Sequence, residues 1–254
     1  MRTVQKQYAP LIEGTVELII KCYAAVHYAM LLDSAAQLVQ LFGKEASCSR
    51  LMAALLQQLH TLSLPFFQSA LVEYPDTLQS YLRLMSTALN TCPALLLGIN
   101  GVPQDLFDIG LAGLERPEQQ TVRFASSFFV SYVSLADTAD AVSTVVSDKG
   151  GSLVQYLLQA IAGAAPRSHL PFFSEVLGAL CAHCASHLSH WLEDLLSQDG
   201  FPTHHVSLTE KNDFKATVMR QRGGQGSSRL LKDKVKEFSL MCRGFHGTLY
   251  ALQT

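Results

Sequence analysis

The feature that most constrains this chain is an apolar stripe at helical spacing that keeps returning, with turn residues between one stripe and the next. Ile12, Val16, Ile19, Ile20 and Tyr23 make one stripe, Met52, Leu55, Leu56 and Leu59 a second, and Leu78, Tyr81, Leu82, Met85 and Leu89 a third. Val154, Leu157, Leu158 and Ile161 fit the i, i+3, i+4, i+7 template, and so do Phe173, Val176, Leu177 and Leu180. Such sets share one side of an α-helix, so each predicts a helix with one buried face. Val, Ile and Thr do not alternate with polar residues over any useful length, so strands are not expected.

Punctuation divides the stripes. Asp33 can cap a helix running to Phe42, which Gly43 stops. Pro75-Asp76 and Pro117-Glu118 put proline in a first turn, followed by an acid that the helix dipole favours. Pro93, Gly101-Val102-Pro103, Gly150-Gly151 and Pro166 break the intervals, and Ser207-Leu208-Thr209-Glu210 is a capping box opening a helix toward Arg222.

The predicted helices fall into pairs. First members start near residues 8, 48, 103 and 150, and second members near 34, 76, 118 and 169. An extra helix runs from about Ala136 to Val146, and a last pair covers about 208–222 and 229–243. The second members recur about every 42 to 51 residues, near the roughly 40–47-residue period of HEAT repeats. Two amphipathic helices cannot bury both apolar faces alone, so each pair must stack on the next. The expected fold is an all-α α-α superhelix, a HEAT/armadillo-like repeat solenoid. Residues 1–206 are read as about four helix pairs plus one extra helix, and 207–254 as carboxyl-terminal capping helices with a Gly/Ser-rich linker at 223–228. A concave ladder of this kind, without a deep pocket, suits protein binding better than catalysis.

Composition narrows the function classes. At 48% hydrophobic and 16% charged the chain is too apolar to be disordered. No run of 18 apolar residues predicts a membrane span. Met1-Arg2-Thr3-Val4-Gln5-Lys6 lacks the apolar core of a secretion signal, and a helical pattern is under way by Tyr8, as if the chain were cut from something longer. Cys22, Cys48, Cys92, Cys181, Cys184 and Cys242 sit mostly in apolar helical patterns, which fits free thiols in a reducing compartment. Residues 1–210 hold 10 Lys+Arg against 18 Asp+Glu, while 211–254 hold 9 against 3. An acidic body suits basic protein partners, whereas it would repel nucleic-acid phosphates.

Several segments carry a family likeness. They are Tyr8-Ala9-Pro10-Leu11-Ile12-Glu13, the run from Leu31 to Gly43, Tyr74-Pro75-Asp76, Asp148-Lys149-Gly150, Gly200-Phe201-Pro202, and the run from Val235 through Gly244-Phe245-His246-Gly247 to Thr248. In this order, over nearly the whole chain, they resemble the carboxyl-terminal part of a nuclear transport receptor of the importin-β superfamily. The tail run is the most specific. The resemblance implies a superhelix of HEAT repeats that binds protein cargo and shuttles between cytoplasm and nucleus. It also implies that the complete receptor engages nucleoporins and the GTPase Ran, with Ran held mainly by amino-terminal repeats that would precede this chain. Two departures from the pattern stand out. The Gly223–Ser228 linker replaces a basic helix-forming stretch, and Leu249 to Thr254 lacks an acid after Gly247-Thr248. The alternative reading is a generic HEAT scaffold or a regulatory subunit of a larger assembly.

Sharper chemical readings compete at a few residues. Cys181, His183, Cys184, His187 and His190 suggest zinc or redox chemistry, but on one straight helix Cys181 and Cys184 continue the apolar face of Val176, Leu177 and Leu180, and no second ligand group lies at zinc-site spacing. There is no Gly-x-Ser-x-Gly elbow, and Gly223-Gly224-Gln225-Gly226 lacks the ending of a phosphate loop. No catalytic residue, metal or cofactor is therefore expected, and the chain is read as a binding protein. In the basic segment from Lys211 to Arg243, Leu231, Val235, Phe238 and Cys242 have the spacing of a docked stripe, which leaves the charges as a solvated outer cap. The candidate protein-binding residues are Asp33, Asp76 and Glu118 at second-helix starts, where capping is their other role, and Lys232, Lys236 and Arg243 on the basic cap.

Overall fold

The computed structural model describes residues 9–70, 73–220 and 225–245, and among these the regular elements are all helices. In order they are α1 (Ala9–Val26), α2 (Ala29–Phe42), α3 (Ser49–Ala70), α4 (Pro75–Thr91), the short α5 (Pro93–Leu97), α6 (Val102–Leu114), α7 (Gln119–Val133), α8 (Asp140–Gln159), α9 (Leu170–His183), α10 (Ala185–Leu196), α11 (Leu208–Met219) and α12 (Gln225–Cys242). The stripes read from sequence form the core. All of their residues are buried except Ile20, which is half-buried. By internal packing the chain divides into two compact units, residues 1–131 and 132–254.

In the first unit, α1 packs on α2 and α3, and α2 packs closely on α4. Polar bonds then join like helices of successive pairs. Tyr23 Oη and Ser63 Oγ are 2.9 Å apart between α1 and α3, and His60 Nε2 lies 3.2 Å from Asp105 Oδ2 between α3 and α6. On the other row, Arg83 donates to Asp33 between α4 and α2, and Gln79 Nε2 donates to Thr121 Oγ1 of α7 at 3.1 Å. Ser86 and Ser131 hydroxyls, 2.9 Å apart, add a second link between α4 and α7. The partners lie 40, 45, 50, 42 and 45 residues apart in the chain. One repeat period thus carries each helix onto its own kind, which is the physical content of a stacked array.

In the second unit, α8 packs on α10, α9 on α12, and α11 on both α10 and α12. Phe214 of α11 stacks on Phe238 of α12 with ring centroids 4.1 Å apart, and Leu231, Val235 and Cys242 are buried beside Phe238 on the same face. The capping box forms: Ser207 N–H donates to Glu210 Oε2 at 2.8 Å, and Glu210 N–H donates back to Ser207 Oγ at 3.4 Å.

Five local expectations are corrected. α2 starts at Ala29, four residues before Asp33, because Leu32 is a fully buried contact and must itself be helical; Tyr28, not Asp33, holds the N-cap. Pro117 and Glu118 precede α7, whose first turn takes a hydrogen bond from Val122 N–H to the Glu118 carbonyl. Gly150-Gly151 does not break the chain: α8 runs through it, absorbing the expected extra helix. A Cβ at Gly150 would lie 2.2 Å from Cη2 of Trp191, so glycine there lets α10 approach α8. The helix after Pro171 is not straight but ends at His183, and α10 starts afresh at Ala185. Gln225 to Ser228, read as linker, already belong to α12, while Gly223, Gly224, the start at Tyr8 and the tail from His246 lie outside the described residues.

Candidate functional site

The acidic candidates of the first unit have different environments. Asp33 is at the surface but paired, with Arg83 Nη1 3.4 Å away. Glu118 is half-buried beside Arg116, whose Nε lies 3.7 Å from Glu118 Oε2. Asp76 is exposed in the first turn of α4 and has no ion-pair partner among the described residues. The structure therefore ties two of the three to arginines of the same unit and leaves Asp76 open to a partner.

The basic candidates of the second unit also divide. Lys232 reaches Glu175 of α9 at 2.8 Å, and Lys236 is half-buried with no ion-pair partner among the described residues. Arg243 turns back onto the segment that follows α8, where Nη2 donates to the Ala165 carbonyl at 2.9 Å. Two further lysines of the segment are not solvated cap charges. Lys211 is buried, its ammonium donating to the Gln198 carbonyl at 2.9 Å. Lys234 is held between Asp213 and Glu237: burial works against its charge, but the two carboxylates prevail and raise its pKa.

The cysteine–histidine cluster is dispersed by the bend at Cys184. Cys181 is buried and donates to the Val218 carbonyl at 3.2 Å. Burial, with help from the Asp137 charge, pushes the Cys184 thiol up to about 11, so it stays protonated. His183 is paired with Asp137 at 2.8 Å, His187 stacks on Trp191, and His190 lies 3.3 Å from Asp194. Among the described residues no group of three or more His, Cys, Asp or Glu is placed to hold a metal ion.

A concave groove of about 460 Å³ in the first unit was not read from the sequence. It lies between the α1–α2 turn and the start of α4. The turn is forced tight by His27, whose φ of +48° is left-handed, and the His27 ring stacks on Phe66 at 4.6 Å. Thr77 Oγ1 donates to the His27 carbonyl at 3.2 Å and ties the turn to α4. Phe66 also touches Tyr74 at 5.2 Å, giving a continuous aromatic floor. Tyr28 and Tyr74 stand at the rim, 68% and 48% exposed, with the carboxylates of Glu73 and Asp76 beside them. Tyr28 and Tyr74 are the N-cap residues of α2 and α4, and neither side chain makes a capping bond. A tyrosine at the same place in two successive pairs, one repeat apart, was the available sequence signal.

Comparison with known proteins agrees with this architecture. The family model described as Importin 13 repeat matches residues 114–188. Importin-13 of Gallus gallus is 34% identical over 250 residues, 98% of this chain and 26% of that protein. Importin-13 of Homo sapiens is 32% identical over the same extent, and the importin beta-like protein kap111 of Schizosaccharomyces pombe is 31% identical over 140 residues, 54% of this chain and 13% of that protein. The solved structure of importin-13 in its cytosolic state superposes with a TM-score of 0.84 at 20% identity, over 94% of this chain and 27% of that one. That likeness establishes the fold, an all-α HEAT-repeat solenoid. The chain spans about a quarter of the length of the curated importin-13 relatives it matches. By sequence along nearly its whole length, by the matched repeat and by fold, the chain is importin-13-like and belongs to the importin, or karyopherin, family of nuclear transport receptors.

Proposed function

We propose that this chain supplies a cargo-binding part of a Ran-dependent receptor that carries proteins through the nuclear pore and shuttles between cytoplasm and nucleus. The observation that supports it most is the 34% identity to importin-13 of Gallus gallus over 98% of the chain, which favours a receptor over a generic scaffold. Residues 1–206 are the repeats that meet cargo, and 207–254 are the cap. The acidic balance of residues 1–210 attracts basic cargo at long range, with Asp33, Asp76 and Glu118 as contacts. Lys232, Lys236 and Arg243 offer a smaller basic face to an acidic partner. The role is binding, without catalysis or cofactor. Nucleoporins and Ran are partners of the complete receptor.

Release by Ran is a coupling between two sites and needs both on one connected element. The family resemblance implies that Ran is held mainly by amino-terminal repeats, whereas this chain resembles the carboxyl-terminal part. The test is binding of a basic cargo protein to this chain across a salt series, with and without the GTP form of Ran. Cargo affinity should weaken as salt rises, because the attraction is screened over about 10 Å at 0.1 M, and Ran should leave it unchanged. Absence of basic-cargo binding even at low salt overturns the cargo reading. Tight stoichiometric Ran binding overturns the division of labour.

A further inference from the structure

We infer that the groove between the α1–α2 turn and the start of α4 receives an arginine side chain from an extended segment of a protein partner. The inference rests on the cargo reading and sharpens it to one place and one side chain.

Three observations point to this ligand. The groove is concave and floored by rings, His27 on Phe66 and Phe66 on Tyr74, while its rim tyrosines Tyr28 and Tyr74 are 68% and 48% exposed. Aromatic faces left to water on a tight turn offer π-density to a planar cation, and a guanidinium stacks on them better than an ammonium does. Second, the charge of the rim is negative. Glu73 and Asp76 are both exposed, and among the described residues no Lys or Arg lines the groove and neither acid has an ion-pair partner. The amino end of α4 carries roughly half a positive charge, which the two carboxylates exceed. A guanidinium can lie flat on a ring while its edge donates to a carboxylate, so the two features act on one ligand.

Third, the rim is preformed. Tyr28 and Tyr74 are the N-cap residues of α2 and α4. Backbone strain at His27 and the Thr77 bond to its carbonyl hold Tyr28 at the rim. A preformed groove loses little freedom on binding, which favours recognition of a single anchoring side chain.

The test uses three fluorescent peptides of one sequence, a flexible Gly/Ser chain bearing either arginine, lysine or the neutral isostere citrulline, titrated into the whole chain at low salt. The arginine peptide should bind several-fold more tightly than the lysine peptide, and the citrulline peptide should not bind. Tyr28→Ala should weaken the arginine peptide by roughly five- to tenfold, Tyr28→Phe should restore it, and Glu73→Gln with Asp76→Asn should reduce its salt dependence. Unchanged circular dichroism checks that the exposed Tyr28 substitution leaves the helices intact. Equal affinity for the arginine and lysine peptides, or no loss in Tyr28→Ala, overturns the arginine groove. If basic cargo still binds and responds to Asp33→Asn but not to the groove variants, the groove is wrong and the cargo reading stands. If neither peptide nor basic cargo binds, both fail.

Discussion

The two units solve one problem with different chemistry. In the first, successive helices are joined mainly by neutral or buried polar groups: Tyr23 with Ser63, His60 with Tyr81 at 2.7 Å, Gln79 with Thr121 and Ser86 with Ser131. In the second, the late helices are joined by stacked rings and by ion pairs, with Phe214 on Phe238, Lys232 to Glu175 and Lys215 to Glu193 nearer the surface, and the half-buried Lys234 to Asp213. Buried polar bonds are costly to break because the groups left behind are desolvated, whereas exposed ion pairs contribute little and are screened by salt. The first unit should therefore respond to pH through its buried histidine. The second should depend on its aromatic packing far more than on its many charges.

The comparison is tested most severely at Phe238. Phe238→Asp removes a fully buried ring from its stack and puts a charge in its place, which should cost about 4 kcal/mol or more. Limited proteolysis should then cut within α11 or α12 while the helices of the first unit stay protected. Protection of α12 in this variant would mean that packing on Phe214 does not hold the cap.

Gly150→Ala should come next. The new methyl would meet the Trp191 ring at 2.2 Å, an overpacking cost of about 1–3 kcal/mol that the better helix propensity of alanine, about 1 kcal/mol, only partly offsets. The chain has one tryptophan, so a shift in its fluorescence together with a lower unfolding midpoint reports this joint directly. A higher midpoint with unchanged fluorescence would show that α8 and α10 are not in close contact there.

In the first unit the pH response belongs to His60; His169 of the second unit, also buried and with its pKa lowered by burial, adds its own. Burial lowers the His60 pKa, against the pull of Asp105, and the neutral ring bonds Tyr81 and Asp105 at once. Unfolded, the same histidine takes up its proton near pH 6.5. Just below that pH the unfolded state holds more protons than the folded one, so stability is complete above about pH 6.5 and falls on acidification. Hydrogen exchange in α3 and α4 should accelerate as pH falls below about 6.5 after correction for intrinsic rates, and less steeply in His60→Gln. An equal slope in that variant would remove His60 from the account.

The smallest effect is expected at Lys232. Its bond to Glu175 lies at the surface, with side chains 33% and 42% exposed, so Lys232→Ala should change stability by less than about 0.5 kcal/mol. A loss comparable to that of Phe238→Asp, seen in urea titration, would reverse the ranking of rings over charges in the second unit.

The sequence alone determined the helical class, the repeat period and the core. Apolar residues at i, i+3, i+4 and i+7 can be buried together only on one helix face, so the stripes from Ile12 to Leu180 were legible without tertiary information. The capping box at Ser207 and the docked face of Leu231, Val235 and Phe238 were legible for the same reason: the residues that make each pattern lie within one or two turns of each other. Tertiary structure decided what depends on residues distant in sequence. Gly150 reads as a breaker until Trp191, 41 residues later, is seen to need its space. Asp33 reads as a cap until Leu32 is buried and α2 is drawn out ahead of it. Lys211 reads as a solvated charge until the Gln198 carbonyl takes it inward. The groove follows the same rule: Tyr28 and Glu73 stand far apart in the chain, and only the stacking of α2 on α4 brings one repeat's turn beside the next. Local periodicity fixes which face of a helix is buried, but which neighbour covers it, and what chemistry two turns share, is set by contacts between repeats.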